Sequence, residues 1–146
     1  MQSGNLAGAL RSLGSLEKLI DELGTLPRKV AIDAAPRLTK LLRKQFADGT
    51  DPYGRRWARL ANGRASHLTE TRRLRNQARA TPMVGGRMGI RFSFGTRALI
   101  AFFHQHGTRN MPSRKILPQF GMPRAWREVL DASARRLARQ AVRRVK

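Results

Sequence analysis

The side chains able to do acid–base, nucleophilic or metal chemistry are few in these 146 residues: nine acids, three histidines and no cysteine. Without cysteine there is no thiolate nucleophile, zinc ribbon, iron–sulfur cluster or disulfide framework. His104 and His106 are of a metal-ligating type, but a site needs further ligands, and no acid lies between Glu70 and Glu128. Asp48-Gly-Thr-Asp51 has the outline of a calcium loop. The further oxygen ligands and the closing glutamate are missing, and Arg55, Arg56 and Arg59 follow instead. The simpler reading is a turn held by aspartate-to-backbone hydrogen bonds. Neither a Gly-Lys-Ser/Thr phosphate loop nor a Gly-x-Ser-x-Gly elbow occurs. The expectation is a protein that is not an enzyme and has no metal or cofactor site.

What the chain has in abundance is positive charge, 30 Lys+Arg against 9 Asp+Glu for a net of +21. The excess is uneven: +2 over residues 1–51, +15 over 52–127 and +4 over 128–146. Like charges at that density repel, so a polyanionic partner is expected, either nucleic acid or an acidic protein surface. Most of the bases are arginine, whose planar fork suits bidentate contact with phosphate or carboxylate. Candidate positions for that contact are Arg55, Arg56, Arg59, Arg72, Arg73, Arg75, Arg135, Arg139 and Arg143. No apolar run approaches eighteen residues, and no leader-like basic-then-apolar start is visible, so neither membrane nor secretion is expected.

The elements that must carry these residues read as α+β in one domain spanning residues 1–146. N-terminal helices fill 1–46, a loop-rich β core 47–123 and a C-terminal helix 124–146. Leu6, Leu10, Leu13, Leu16, Leu19, Ile20 and Leu23 recur at helical spacing, weakened by Gly8 and Gly14, with Gly24 as a stop. A second helix is expected from Pro27 to Phe46, capped by Thr25, with Val30, Ala34, Leu38, Leu41, Leu42 and Phe46 as its stripe and a kink at Pro36. Leu68–Asn76 reads as a short helix capped by Thr69. Gln77–Val84 and Met88–Phe94 flank Gly85-Gly86 as a small antiparallel hairpin, within which Phe92 and Phe94 suit core packing or base stacking. Ala98–His106 is either strand or one to two turns of helix. Gly107 to Pro123 is irregular and extended, and Ala125–Val145 is the clearest helix, with arginines on its outer faces.

Three patches go further than composition. They are Phe46-Ala-Asp-Gly-Thr-Asp-Pro-Tyr-Gly-Arg-Arg-Trp-Ala-Arg-Leu60, Leu68-Thr-Glu-Thr-Arg-Arg-Leu-Arg-Asn76, and Ala101-Phe-Phe-His-Gln-His-Gly107 followed by Met111-Pro-Ser-Arg-Lys-Ile-Leu117. In that order and at those separations, over Phe46 to Leu117, the chain resembles the tail-completion (virion morphogenesis) proteins of tailed bacteriophages. It departs from the family pattern at Arg72, where a glycine commonly follows the threonine. It also departs at Leu99 and Ile100, where a tyrosine is common, and at Lys115, where a proline is common.

The resemblance implies a small α+β virion subunit forming a ring, a hexamer matched to the sixfold tail tube, at the head-proximal end of the tail. Its partners would be further copies of itself, the neighbouring neck and tail-tube proteins, and double-stranded DNA passing without sequence specificity. It would be assembled in the host cytoplasm and would complete the tail and join it to the head. Within the motifs, Trp57, Gln105, Pro112 and Arg114 are the candidates for subunit or partner contact. Trp57 equally suits anchoring its own loop by aromatic burial, and Arg114 suits a neighbour's carboxylate or an internal role. A competing expectation, from charge alone, is a sequence-independent DNA-binding protein.

Overall fold

The computed structural model describes residues 3–64, 72–83 and 89–145, with side chains from residue 11 onward. Helix α1 runs without a break over Ser3–Asp48. The two helices expected on either side of Gly24 are therefore one, about 69 Å long at 1.5 Å per residue. Pro27 and Pro36 both lie inside it. Each proline frees the carbonyl one turn back, that of Leu23 or Ile32. Both prolines and both of those residues are solvent-exposed, so water can take over the lost bond. Thr25 does not cap a new helix; its hydroxyl donates back to the Glu22 carbonyl at 3.0 Å.

Along its second half α1 buries Ala34, Leu38, Leu42 and Phe46 at four-residue spacing. Helix α4, Arg124–Val145, lies antiparallel against it: Trp126 meets Gln45, Arg136 meets Asp33 and Arg144 meets Glu22. Between them sits the small part of the fold. Helix α2 is a single turn over Arg73–Gln77; the first part of the Leu68–Asn76 reading, residues 68–71, lies outside the described residues. Strands β1, Arg79–Pro82, and β2, Ile90–Ser93, pair antiparallel with Arg79 opposite Ser93 and Pro82 opposite Ile90. The hairpin is thus present with shorter strands than expected. The expected Thr69 cap and Gly85-Gly86 turn lie outside the described residues.

A 3-10 turn at Gly95–Arg97 leads into helix α3, Ala98–His106, which settles the helix-or-strand ambiguity. The residues from Gly107 to Pro123 are irregular, as their glycines and prolines imply. Phe94 is buried, and Phe92 packs on Trp126 with ring centroids 4.9 Å apart, so these aromatics face the core instead of a base-stacking surface. The α+β class holds: long helices at both ends of the chain pack on each other, and a two-stranded antiparallel sheet lies against the first of them.

Candidate functional site

Among the described residues, those with acid–base chemistry do not converge. Among the described residues no group of three or more His, Asp or Glu could hold a metal ion. Asp51 is buried and accepts from the backbone N–H groups of Tyr53 at 2.9 Å and Arg55 at 2.8 Å, the turn its neighbours foretold. His106 is exposed, with its ring 4.4 Å from that of Phe102. His104 is half-buried, and burial, then the nearby Arg114 charge, pushes its pKa below the usual histidine range. Its Nδ1 is buried with no hydrogen-bond partner, so the neutral ring suits this place. Glu70 lies outside the described residues.

The motif residues, by contrast, close on one another. Phe46 at the end of α1 meets Trp57 edge-on at 5.7 Å. The indole Nε1 of Trp57 then donates to the Lys115 carbonyl at 2.8 Å. Arg114, only 4 % exposed, sends Nε to the Ala58 carbonyl at 3.0 Å and Nη2 to that of Arg59 at 3.1 Å. Its own N–H donates to the His104 carbonyl at 2.6 Å. At the end of α3, Gln105 holds the extended segment as a neighbouring strand would. Its Oε1 accepts from the N–H groups of Ile116 at 2.7 Å and Leu117 at 2.9 Å, and its Nε2 donates to the Leu117 carbonyl at 3.0 Å.

Gly107 makes this return possible. Its φ of 77° lies in the left-handed region, and a Cβ there would stand 3.0 Å from both the Met111 oxygen and the Ser113 nitrogen. Lys115, where a proline is common in the resembling family, donates Nζ to the Gln105 carbonyl at 2.9 Å and so satisfies an orphan group at the C-terminus of α3.

Trp57, Gln105 and Arg114, expected at a partner contact, are thus turned into the chain's own fold. The reason is that the loop after α1 and the segment after α3 carry backbone groups with no helix or sheet to satisfy them. These three side chains supply the missing partners. Of that set only Pro112 is exposed.

Two residues that sequence reading missed belong to the same knot. Buried Gln45 donates to the Ile116 carbonyl at 3.1 Å and accepts from Trp126 Nε1 at 3.2 Å. The Tyr53 hydroxyl donates to the Gly121 carbonyl at 2.9 Å and accepts from Phe120 N–H at 2.8 Å. Tyr53 carried a signal, a lone tyrosine within a turn motif; a single glutamine on an amphipathic helix carried none.

The candidate charge contacts fall on three separate elements, and among the described residues no hydrogen bond joins one set to another. Arg55 pairs with Asp51 at 3.1 Å and lies over the Tyr53 ring, Arg59 donates to the Gly63 carbonyl at 2.9 Å, and Arg56 is exposed. Arg72 and Arg73 are exposed, and Arg75 is half-buried at α2.

On α4 the arginines divide by face. Arg136 and Arg144 clamp Asp33 and Glu22 of α1. The hydrogen bond from Arg136 is the main cause holding the Asp33 carboxyl below its usual range, and the one from Lys29 does the same for Glu22. Arg135, Arg139 and Arg143 are exposed at four-residue spacing, with no salt bridge among the described residues.

Apolar surface is the other unpartnered feature. Leu13, Leu16, Ile20 and Leu23 of α1 are 56 %, 52 %, 59 % and 43 % exposed, and Leu99, Phe102 and Phe103 of α3 are exposed as well. No helix among the described residues is long and apolar enough to cross a membrane. No protein-family model, curated protein or solved structure matches the chain.

Proposed function

We propose that this chain is a structural, non-enzymatic subunit of a tailed-bacteriophage virion, one copy of a ring at the head–tail interface that completes the tail and joins it to the head. The observation that carries the reading is the knot. The first and third motifs, read from sequence as separate patches, interlock through Trp57 and Arg114, Gln105 ties the two parts of the third together, and the second reaches the same core through buried Leu74. Arg72 adds support. It has a φ of 50°, the backbone a glycine adopts most readily, at the position where the resembling family commonly has one. Exposed leucines and phenylalanines on α1 and α3 fit a subunit that finishes its packing in an assembly.

The test is the position and stoichiometry of the chain in assembled particles. Electron cryo-microscopy is expected to find a ring, a hexamer, where the tail meets the head. A position elsewhere in the particle would overturn the proposal. One observation favours a second reading, sequence-independent DNA binding: the outward row of Arg135, Arg139 and Arg143. That reading expects tight duplex binding by unassembled chain, weakening steeply with salt as counterions are released. Gel-shift titration over a salt series, beside native mass spectrometry, separates the two.

A further inference from the structure

Helix α1 carries an N-terminal arm whose leucine seam stands open among the described residues. Arg144, next to the last described residue of α4, lies opposite Glu22 at 3.8 Å, so the helix from there back to Ser3 runs on past α4 for about 28 Å. Leu13, Leu16, Ile20 and Leu23 follow one another at spacings of three, four and three, which places them on a single seam. All four are more than two-fifths exposed. Gly14 has no atom within 4 Å of where a Cβ would stand, so among the described residues nothing packs there either. A glycine-weakened helix with an uncovered leucine seam is poorly stable alone, because helices of this kind draw most of their stability from packing of the apolar face.

The body of the same chain offers a matching recess. Leu26, Val30, Phe92, Leu117, Met122 and Leu130 line an open groove of about 870 Å³ between α1, β2, the segment before α4 and α4 itself. Among the described residues Asp131 is the one charged residue lining it. The arm cannot fill this groove in its own chain. Leu26 and Val30 belong to the same unbroken helix as the seam, and a helix cannot turn back upon itself within one turn.

Charge selects the occupant. Glu22 is paired with Lys29 and Arg144 of its own chain, and the arm beyond it, residues 3–21, holds two bases and two acids, a net of zero, so the remainder of the chain holds the whole +21. Two bodies repel, whereas an arm laid on a second body does not.

We propose that the arm seam of one copy docks, as a helix in a groove, against the body of a second copy. Leu13, Leu16 and Ile20 are the anchors. Arm and groove are different surfaces, so the contact is heterologous, and repetition of it closes a ring. This rests on the ring reading only for its closure; the arm–groove contact stands or falls separately.

The experiment is native mass spectrometry and sedimentation of the full chain with two variants, each altering residues exposed in the monomer. Leu16→Glu with Ile20→Glu removes two of the three arm anchors, and Met122→Arg obstructs the groove. Circular dichroism melts are expected to show both variants folded. The wild type is expected to oligomerise, and either variant to weaken association about 100-fold or more. An equimolar mixture of the two variants is expected to recover dimers and nothing larger, because only one good arm and one good groove remain per pair. Persistent wild-type-like assembly of either variant, or a wild type that stays monomeric at tens of micromolar, overturns the inference. A wild-type dimer whose contact needs both surfaces upholds the docking and overturns the ring. A sixfold ring that tolerates the arm variant does the reverse.

Discussion

The knot formed by residues 46–60 and 104–117 and the arm of α1 are opposites in how they treat their side chains. In the knot, indole, guanidinium and carboxamide groups all turn inward to backbone carbonyls and amides that no regular element serves. In the arm, regular helix satisfies most of the backbone, and it is leucine side chains that stand exposed. The difference teaches where stability and assembly reside. Irregular backbone must be bonded internally before it can be buried, so the knot belongs to folding. A helix needs only something apolar to lie on, which a second molecule can provide.

The largest effect that tests this division is expected from Trp57→Ala. It deletes a buried aromatic and the Lys115 carbonyl's donor, for a loss of about 3–5 kcal/mol in urea unfolding. Arg114→Ala strands the carbonyls of Ala58 and Arg59 and is expected to cost about 3 kcal/mol. Arg114→Lys is expected to recover only part of that, since an ammonium lacks the fork that reaches both oxygens. If either alanine variant lost assembly while keeping wild-type stability, the division between knot and arm would be wrong.

Acidity separates the regions in a second way. The folded pKa of His104 lies below its ordinary 6.5, so the unfolded chain binds more protons. Stability is therefore expected to rise with pH through the window just beneath 6.5, and to fall as pH drops across it. His104→Gln is expected to flatten that limb of the stability profile. Asp33 and Glu22 also have lowered pKa values, from 3.8 and 4.5. Their contribution to holding α4 on α1 is present above those values and lost as pH falls below them, a lower and distinct window.

Smaller still is Arg72→Gly, expected to stabilise by about 0.5–1 kcal/mol because it relieves a left-handed backbone at φ 50°. The least effect on monomer stability belongs to Leu16→Glu with Ile20→Glu, within about 0.5 kcal/mol as for exposed positions generally. Thermal melts of dilute protein check both.

Much of the fold was legible in local pattern. The Ala34–Phe46 stripe, the alternating Phe92 and Phe94, and the glycine- and proline-rich run before α4 each announce their conformation. The break at Gly24 was misread for a physical reason: glycine and proline lower helix propensity, but α4 packs across this stretch and water reaches the freed carbonyls. Helix α3 was ambiguous because a short apolar run suits either period. The site was less legible than the fold. Sequence marked Trp57, Gln105 and Arg114 as special without revealing whether they face outward or inward. That depends on which backbone groups lie opposite them, and those come from residues more than ten positions away.

By itself, then, the sequence determined the charge, the absence of cysteine, the apolar faces of the long helices and the hairpin, because each follows from composition or from spacing within a few residues. Only the tertiary structure decided that α1 is one helix, that Arg136 and Arg144 clamp it while Arg135, Arg139 and Arg143 do not, and that the motif residues bond one another. It alone also left Leu13, Leu16, Ile20 and Leu23 exposed among the described residues. Those outcomes turn on which surfaces meet across tens of residues, and a surface is covered or left bare only by what the rest of the chain brings to it.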